Sequence, residues 1–297
     1  MSDSAPSGRR WFVTLQYLLP QHLLSRLIGR IARARVAWIR CPLIGGFVRG
    51  YRPELGDAAE PLPQAYPSFN AFFTRALRPG ARPPSASPWA IDSPVDGAIS
   101  ALGTTEQGRI LQAKGRDYSL RSLLAGNEAL AARFTGGAFM TIYLAPFNYH
   151  RIHMALDGTL RGAWYVPGAL FSVNDTTARH VPNLFARNER VILEFAGDLG
   201  PHALVMVGAL FVGSMGTVWH GDIAPRRQRG AIALPMPAEP AAARLARGAE
   251  LGRFNMGSTV ILLLPPGAAS WDPKLAAGAT LRVGQAIGAM GPSAAGA

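Results

Sequence analysis

A chain of 297 residues, 48% hydrophobic and only 16% charged, can bury a full core as one large domain or two unequal ones. It contains no run of about 18 to 20 uncharged apolar residues that would span a bilayer. The single cysteine, Cys41, excludes an intrachain disulfide.

The net charge of +12 is concentrated at the start of the chain. Between Asp3 and Glu54 there is no acidic residue, whereas Arg9, Arg10, Arg26, Arg30, Arg33, Arg35, Arg40, Arg49 and Arg52 all fall there. Such a block suits nucleic acid or anionic lipid, and its apolar content decides between them. Trp11, Phe12, Leu15, Leu18, Leu19 and Trp38 lie in the same segment. At helical spacing Leu24, Leu27, Ile28 and Ile31 share one face and Arg26, Arg30 and Arg33 the opposite one. This predicts a helix lying in a membrane interface rather than a nucleic-acid-binding arm, the plainer alternative being an amphipathic helix packed on its own domain. The apolar stretch from Trp11 to Leu19 is interrupted by Gln16 and ended by Pro20, which argues against a secretory signal. A cytoplasmic-side protein fits best.

Four prolines, at positions 53, 61, 63 and 67, mark residues 52–67 as a linker. The boundary is drawn at residue 62, with a basic helical region over 1–62 and a β-rich body over 63–297. Phe69 to Leu77 predicts a short helix stopped by Arg78-Pro79-Gly80. From about Ala90 onward the pattern is of short apolar runs between glycine, proline and aspartate. Runs 138–144, 191–195, 203–207 and 259–264 predict strands, and 116–133 and 241–245 predict weaker helices. The fold class is therefore α+β, with a β-rich catalytic domain preceded by an amphipathic helical segment, and without internal repeats.

Candidate chemistry gathers at two phrases. In Phe254-Asn255-Met256-Gly257-Ser258-Thr259 a serine follows a glycine at the mouth of a buried strand, where the glycine carbonyl is open to close approach. Taken alone, Gly-Ser usually marks a turn. In Asn148-Tyr149-His150-Arg151-Ile152-His153 two histidines lie just beyond a predicted strand. Such a pair also suits metal ligation, but no Cys/His/carboxylate set at a familiar metal spacing accompanies it. Asp96 in Ser93-Pro94-Val95-Asp96-Gly97 is a carboxylate in a dipeptide that favours a tight turn, with Asp92 as its rival.

These phrases, with Phe72-Phe73-Thr74-Arg75, Lys114-Gly115-Arg116-Asp117-Tyr118-Ser119, Val166-Pro167-Gly168-Ala169-Leu170-Phe171-Ser172-Val173-Asn174 and Val212-Gly213-Ser214, resemble the phosphatidylserine decarboxylases over about residues 72 to 267. Met256 stands where that family carries leucine in Leu-Gly-Ser-Thr, a near-isosteric exchange that should leave cleavage intact. Arg247 stands where it commonly has lysine, so no role needing a neutral amine is assigned there.

The resemblance implies that the chain cuts itself between Gly257 and Ser258, leaving a β chain (1–257) and an α chain (258–297). Ser258 becomes a covalent pyruvoyl cofactor, with no external cofactor and no metal. It further implies His153 as base for cleavage, Asp96 as its orienting carboxylate, and His150 near the substrate in decarboxylation. Phosphatidylserine and an anionic membrane surface are the expected partners, on the cytoplasmic face of the inner membrane, with room for a homodimer and no role for nucleic acid. Arg226, Arg227 and Arg229 form either a lipid-phosphate contact or a solvated basic loop. The competing readings are a lipid-active serine hydrolase, for which the Gly-x-Ser-x-Gly elbow is missing, a pyruvoyl enzyme acting on another serine-headed lipid, and a non-enzymatic membrane-binding protein.

Overall fold

A computed structural model describes residues 7–113, 116–210, 214–223 and 230–291. Lys114, Gly115, Val212, Gly213, Arg226, Arg227 and Arg229 lie outside the described residues. The chain opens with helices α1 (Ser7–Leu18), α2 (Gln21–Ala32), α3 (Ala37–Tyr51) and the short α4 (Phe69–Phe73). Strands β1 (Ala90–Asp92), β2 (Gly97–Thr104), β3 (Arg109–Ala113) and β4 (Arg116–Ser119) follow, then helices α5 (Leu120–Leu123) and α6 (Glu128–Phe134). Next come β5 (Ala138–Leu144), β6 (Arg151–His153) and β7 (Gly158–Val166), and the short helices α7 (Asp175–His180) and α8 (Leu184–Arg187). The remainder is strand: β8 (Arg190–Gly197), β9 (Gly200–Gly208), β10 (Met215–Thr217), β11 (Gly221–Ile223), β12 (Ile232–Ala233), β13 (Arg244–Leu245), β14 (Glu250–Phe254), β15 (Ser258–Leu263), β16 (Ala269–Trp271), β17 (Thr280–Leu281) and β18 (Ala286–Met290).

Among the described residues the largest sheet has nine strands, ordered β12-β7-β8-β9-β15-β5-β2-β17 with β13 on the end of β7. A second sheet runs β11-β10-β14-β6, and a third β1-β18-β16. Every strand-to-strand pairing among the described residues is antiparallel. Strand β15 is buried along its whole length. That is why its sequence is a continuous apolar run and not an alternating one: both faces of the sheet are covered there. Ile142, Met206, Val260 and Leu262 belong to the main core, which also takes in Val13 from α1.

A second, smaller core joins Ala32 and Ile44 of the first helices to Tyr66, Phe69, Phe72 and Phe73, with Phe47 edge-on to three of the phenylalanine rings. The proline-bearing stretch 52–67 is folded onto the body: Ala58 bridges Leu77, and Asp57 pairs with Arg82 at 2.8 Å.

Helix α2 is amphipathic, as its sequence predicts, but the side that meets the body is its small-residue side. Ser25, Gly29 and Ala32 are buried, whereas Leu23, Leu27 and Ile31 are 61%, 52% and 41% exposed. Leu18, Trp11 and Trp38 are also exposed. Among the described residues no helix is long and apolar enough to cross a membrane.

Three local expectations differ. The helix predicted over 116–133 is a strand followed by two short helices, because Ala125 and Gly126 turn with positive φ and the Asn127 side chain caps a new helix at the Leu130 amide. The one predicted over 241–245 is a single 3-10 turn, Pro240–Ala243, running into β13. The helix predicted over 69–77 is capped by Ser68 and ends at Phe73, after which Arg75 turns inward and is buried.

Candidate active site

Ser258 begins β15 in the middle of the large sheet, in register with Leu144 of β5 on one side and Gly208 of β9 on the other. Its residue is fully buried and its Oγ has no hydrogen-bond partner. A buried hydroxyl left unmatched costs free energy, and such groups recur where chemistry is done. The two residues before it, Met256 at φ +122° and Gly257 at φ +37°, are both in the left-handed half of backbone space. Glycine tolerates this; methionine is strained there, at a cost of about 1 to 3 kcal/mol.

The second sheet carries both histidines, His150 beside the end of β14 and His153 opposite its start at Glu250. Strand β6 pairs with β14, which runs directly into the loop before Ser258, and the Phe254 amide donates to the His150 carbonyl at 3.0 Å. The His150 ring is fully buried against Phe73, with ring centroids 4.0 Å apart. Its Nδ1 lies 2.9 Å from the Asn148 carbonyl, which can only accept, so Nδ1 carries the proton and Nε2 a bare lone pair. That Nε2 has no partner. Burial, aided by the nearby Arg75 charge, lowers the His150 pKa to about 3, so the ring is neutral.

His153 is held at both nitrogens. Nδ1 donates to the Gly248 carbonyl at 2.7 Å, and the Tyr149 hydroxyl donates to Nε2 at 2.9 Å. Burial lowers its pKa, opposed by the Gly248 bond and by the charges of Glu250 and Asp96. No hydrogen bond joins His153 to Ser258 or to Asp96. Tyr149, 3% exposed, is the hydroxyl that faces His153, and sequence reasoning assigned it no role although it adjoins His150 in the chain.

Asp96 reaches the site from the other side. The His153 amide donates to the Pro94 carbonyl at 2.8 Å, which places Asp96 two residues from a direct backbone tie to the base. Strand β2 then leads from Gly97 along β5, whose Leu144 is the register partner of Ser258. A side chain at Gly97 would have Cβ 2.5 Å from the Tyr143 carbonyl oxygen, so only glycine permits this approach. The Asp96 carboxylate itself accepts from the Val283 amide at 2.8 Å and from Arg82 at 3.2 Å. Burial raises its pKa, and those two partners pull it back. Asp92, its rival, is tied to the Ser85 hydroxyl and amide and lies 3.5 Å from Arg247, a structural assignment for both residues.

Two cavities flank these groups. A polar one of about 430 Å³, lined by Arg75, Arg82, Asp96, Tyr149 and Arg282, lies on the Asp96 side. An apolar cleft of about 540 Å³ runs between Ile28, Ile31, Phe47, Tyr51 and Phe69 and ends at Met256, one residue from Gly257. Among the described residues no group of His, Cys, Asp and Glu side chains is arranged to hold a metal ion.

Comparison with known proteins gives the family. Residues 69–289 match the family model described as phosphatidylserine decarboxylase, and residues 11–52 match a second one described as PSD. The chain belongs to the phosphatidylserine decarboxylase family. It is 50% identical over 286 residues, 96% of this chain and 99% of the relative, to a protein of Pseudomonas fluorescens named phosphatidylserine decarboxylase proenzyme. A protein of the same name from Ectopseudomonas mendocina is 50% identical over 94% of this chain and 98% of its own length, and one from Pseudomonas putida 51% over the same shares. His150 lies beside the loop that carries Gly257 and Ser258, through its carbonyl's bond to the Phe254 amide, whereas His153 pairs with Glu250 at the start of β14 and Asp96 precedes β2.

Proposed function

We propose that this chain is a phosphatidylserine decarboxylase proenzyme that cuts itself between Gly257 and Ser258 and then converts phosphatidylserine to phosphatidylethanolamine and CO2. The observation that carries the reading is the unpartnered, buried Ser258 Oγ on a central strand, directly after two residues of positive φ. A serine lyase of this kind fits better than a hydrolase, since a hydrolytic serine needs an open approach for substrate and Ser258 is fully buried in the uncut chain.

In the first stage Ser258 Oγ attacks the Gly257 carbonyl carbon. Its proton passes to a base, and the peptide nitrogen leaves protonated, so the amide becomes an ester. Loss of the Cα proton of residue 258 then expels Gly257 as a free carboxylate, the C-terminus of the β chain. The resulting dehydroalanine tautomerises, and one water replaces one ammonia to leave a pyruvoyl group at the head of an α chain of about 40 residues. His153 is the base: with Nδ1–H fixed on Gly248, its lone pair is at Nε2, where Tyr149 steers the ring, and the Asp96 charge favours the imidazolium that forms. Because Tyr149 occupies Nε2 in the uncut chain, the proton reaches His153 through the tyrosine hydroxyl or after that bond opens.

The residues fit the group that Ser258 would become, since the buried oxygen is already unmatched and a neutral imidazole nitrogen stands bare beside the same loop. Once formed, a pyruvoyl group supplies the electron sink that permits loss of CO2 from a carbon bearing an amine. His150, neutral with a bare Nε2, is placed to accept a hydrogen bond from the serine-headgroup amine and to relay a proton to carbon. The apolar cleft ending at Met256 accepts the acyl portion of a lipid whose headgroup lies at Ser258.

Association with the membrane surface follows from the outward apolar face of α1 to α3. Among the described side chains of the N-terminal arginine set only Arg33 is ion-paired, which leaves Arg26, Arg30, Arg35 and Arg49 for anionic headgroups.

Intact mass and a denaturing gel test the reading. The purified chain should appear as two fragments in place of one of 31.6 kDa, and Ser258→Ala should remain whole. Two normal fragments from Ser258→Ala would overturn it.

A further inference from the structure

Met256 is strained at φ +122° and Gly257 follows it at φ +37°, and something must keep the pair in this path. On the C-terminal side Ser258 is locked into β15 between two strands. On the N-terminal side the structure shows one residue with an unusual number of ties: Asn255, 1% exposed. Its amide nitrogen donates to the Ser214 Oγ at 2.7 Å, its amide oxygen accepts from Asn70 Nδ2 at 3.0 Å, and its backbone N–H donates to the Ser214 carbonyl at 3.0 Å. A segment of two residues is thus pinned at both ends.

The pin extends outward. Ser214 Oγ also accepts from Arg33 of α2 at 3.0 Å, and Arg33 pairs at 3.1 Å with Asp222, which also pairs with Arg253 at 3.3 Å. Asn70 belongs to α4, whose Phe73 packs on His150. Asn255 therefore joins the scissile loop to α4 and, through Ser214, to the basic helix.

We propose that Asn255 is a positioning residue for self-cleavage, holding the Met256-Gly257 segment in its strained path so that the Gly257 carbonyl stays against Ser258 Oγ. This rests on the cleavage reading above. The task ends when the peptide bond is cut, because the strained segment then has a free end.

The test is a time course of chain processing from freshly synthesised protein, followed by decarboxylation measured per processed chain. Asn255→Ala should slow processing about tenfold to a hundredfold, the range for loss of near-attack geometry, while chains that do mature turn over substrate within about twofold of wild type. Asn70→Ala should slow processing less, and add nothing when combined with Asn255→Ala, since both act through one amide. Asn255→Asp, which keeps an acceptor for Asn70 and can accept a hydrogen bond from the Ser214 hydroxyl, should recover part of the rate. Wild-type processing of Asn255→Ala, with Ser258→Ala intact, would overturn this inference alone, as would equal loss of processing and turnover. An uncut wild-type chain, or a cut Ser258→Ala chain, would remove the cleavage reading and this inference with it.

Discussion

Replacing Leu23 and Leu27 together by serine tests the outward apolar face of α2 without touching the core, because the two side chains are 61% and 52% exposed. Fully burying a leucine is worth about 1.5 to 3 kcal/mol. With roughly half of each side chain available for transfer, the pair contributes about 2 kcal/mol to insertion at a lipid interface. At about 1.4 kcal/mol per factor of ten, the double variant should partition into vesicles about thirtyfold less well. Sedimentation with vesicles of phosphatidylcholine containing one-third phosphatidylglycerol measures this directly, with circular dichroism to verify that α2 remains helical. Raising salt from about 0.05 to 0.5 M should weaken the wild-type interaction as well, since the arginine contribution is screened beyond a few ångströms. If the variant sediments like wild type and salt has no effect, the outward leucines and the free arginines do not face lipid, and the reasoning from their exposure fails.

Two further outcomes follow from the site. Tyr149→Phe removes the hydroxyl that donates to His153 Nε2; losing one neutral hydrogen bond costs about 1 kcal/mol, so processing should slow about fivefold, and an unchanged time course would exclude Tyr149 from steering the base. Burial lowers His150 to about 3 and His202 to about 4, so the unfolded chain binds protons first and stability is lost as pH falls below about 6.5. Glu189, raised to about 7 by burial, acts in the opposite sense and loses stability as pH rises from its ordinary value of 4.5. The two histidines against Glu189 leave a net loss of roughly 1.4 kcal/mol per pH unit on acidification between pH 6.5 and 4.5, with His153 adding to it and Asp96, raised by burial, opposing it. Melting temperatures of the uncut Ser258→Ala chain from pH 7 to 5 should therefore fall, and a flat profile would contradict the buried, neutral state of these histidines.

The parts of this molecule that were legible in its sequence are those where one residue pattern has one physical solution. Val260-Ile261-Leu262-Leu263-Leu264 is apolar on both sides of a strand, so it had to lie in a covered sheet, and it does. Residues 116–133 had no such constraint: the helical composition is real, but Gly126 and the capping amide of Asn127 divide it. The chemistry followed the same rule. Motifs singled out Asp96, His150, His153 and Ser258 as residue types, yet hydrogen bonds are made by atoms that no motif orders. The Gly248 carbonyl and Tyr149 hydroxyl at His153, and Val283 and Arg82 at Asp96, come from segments remote in sequence or from a neighbour with no evident role.

Helix α2 shows the limit most clearly, because its pattern was read correctly and its orientation still did not follow. Amphipathicity states that a helix has two faces; it does not state which one meets the protein. In a water-facing helix the leucines go inward, since burying them is what holds the helix down. Here Ser25, Gly29 and Ala32 go inward instead, and small residues let the helix backbone lie close against its neighbours. What that packing loses in buried apolar area it must recover elsewhere, through the Gln21 side chain accepting from the Leu170 amide and Arg33 pairing with Asp222. A helix held by small residues and polar ties, with its leucines outward, is poorly arranged for water and well arranged for a lipid interface. The same ties run through Ser214 to Asn255, so the helix with the outward leucines and the loop that carries the proposed scissile bond share one set of hydrogen bonds.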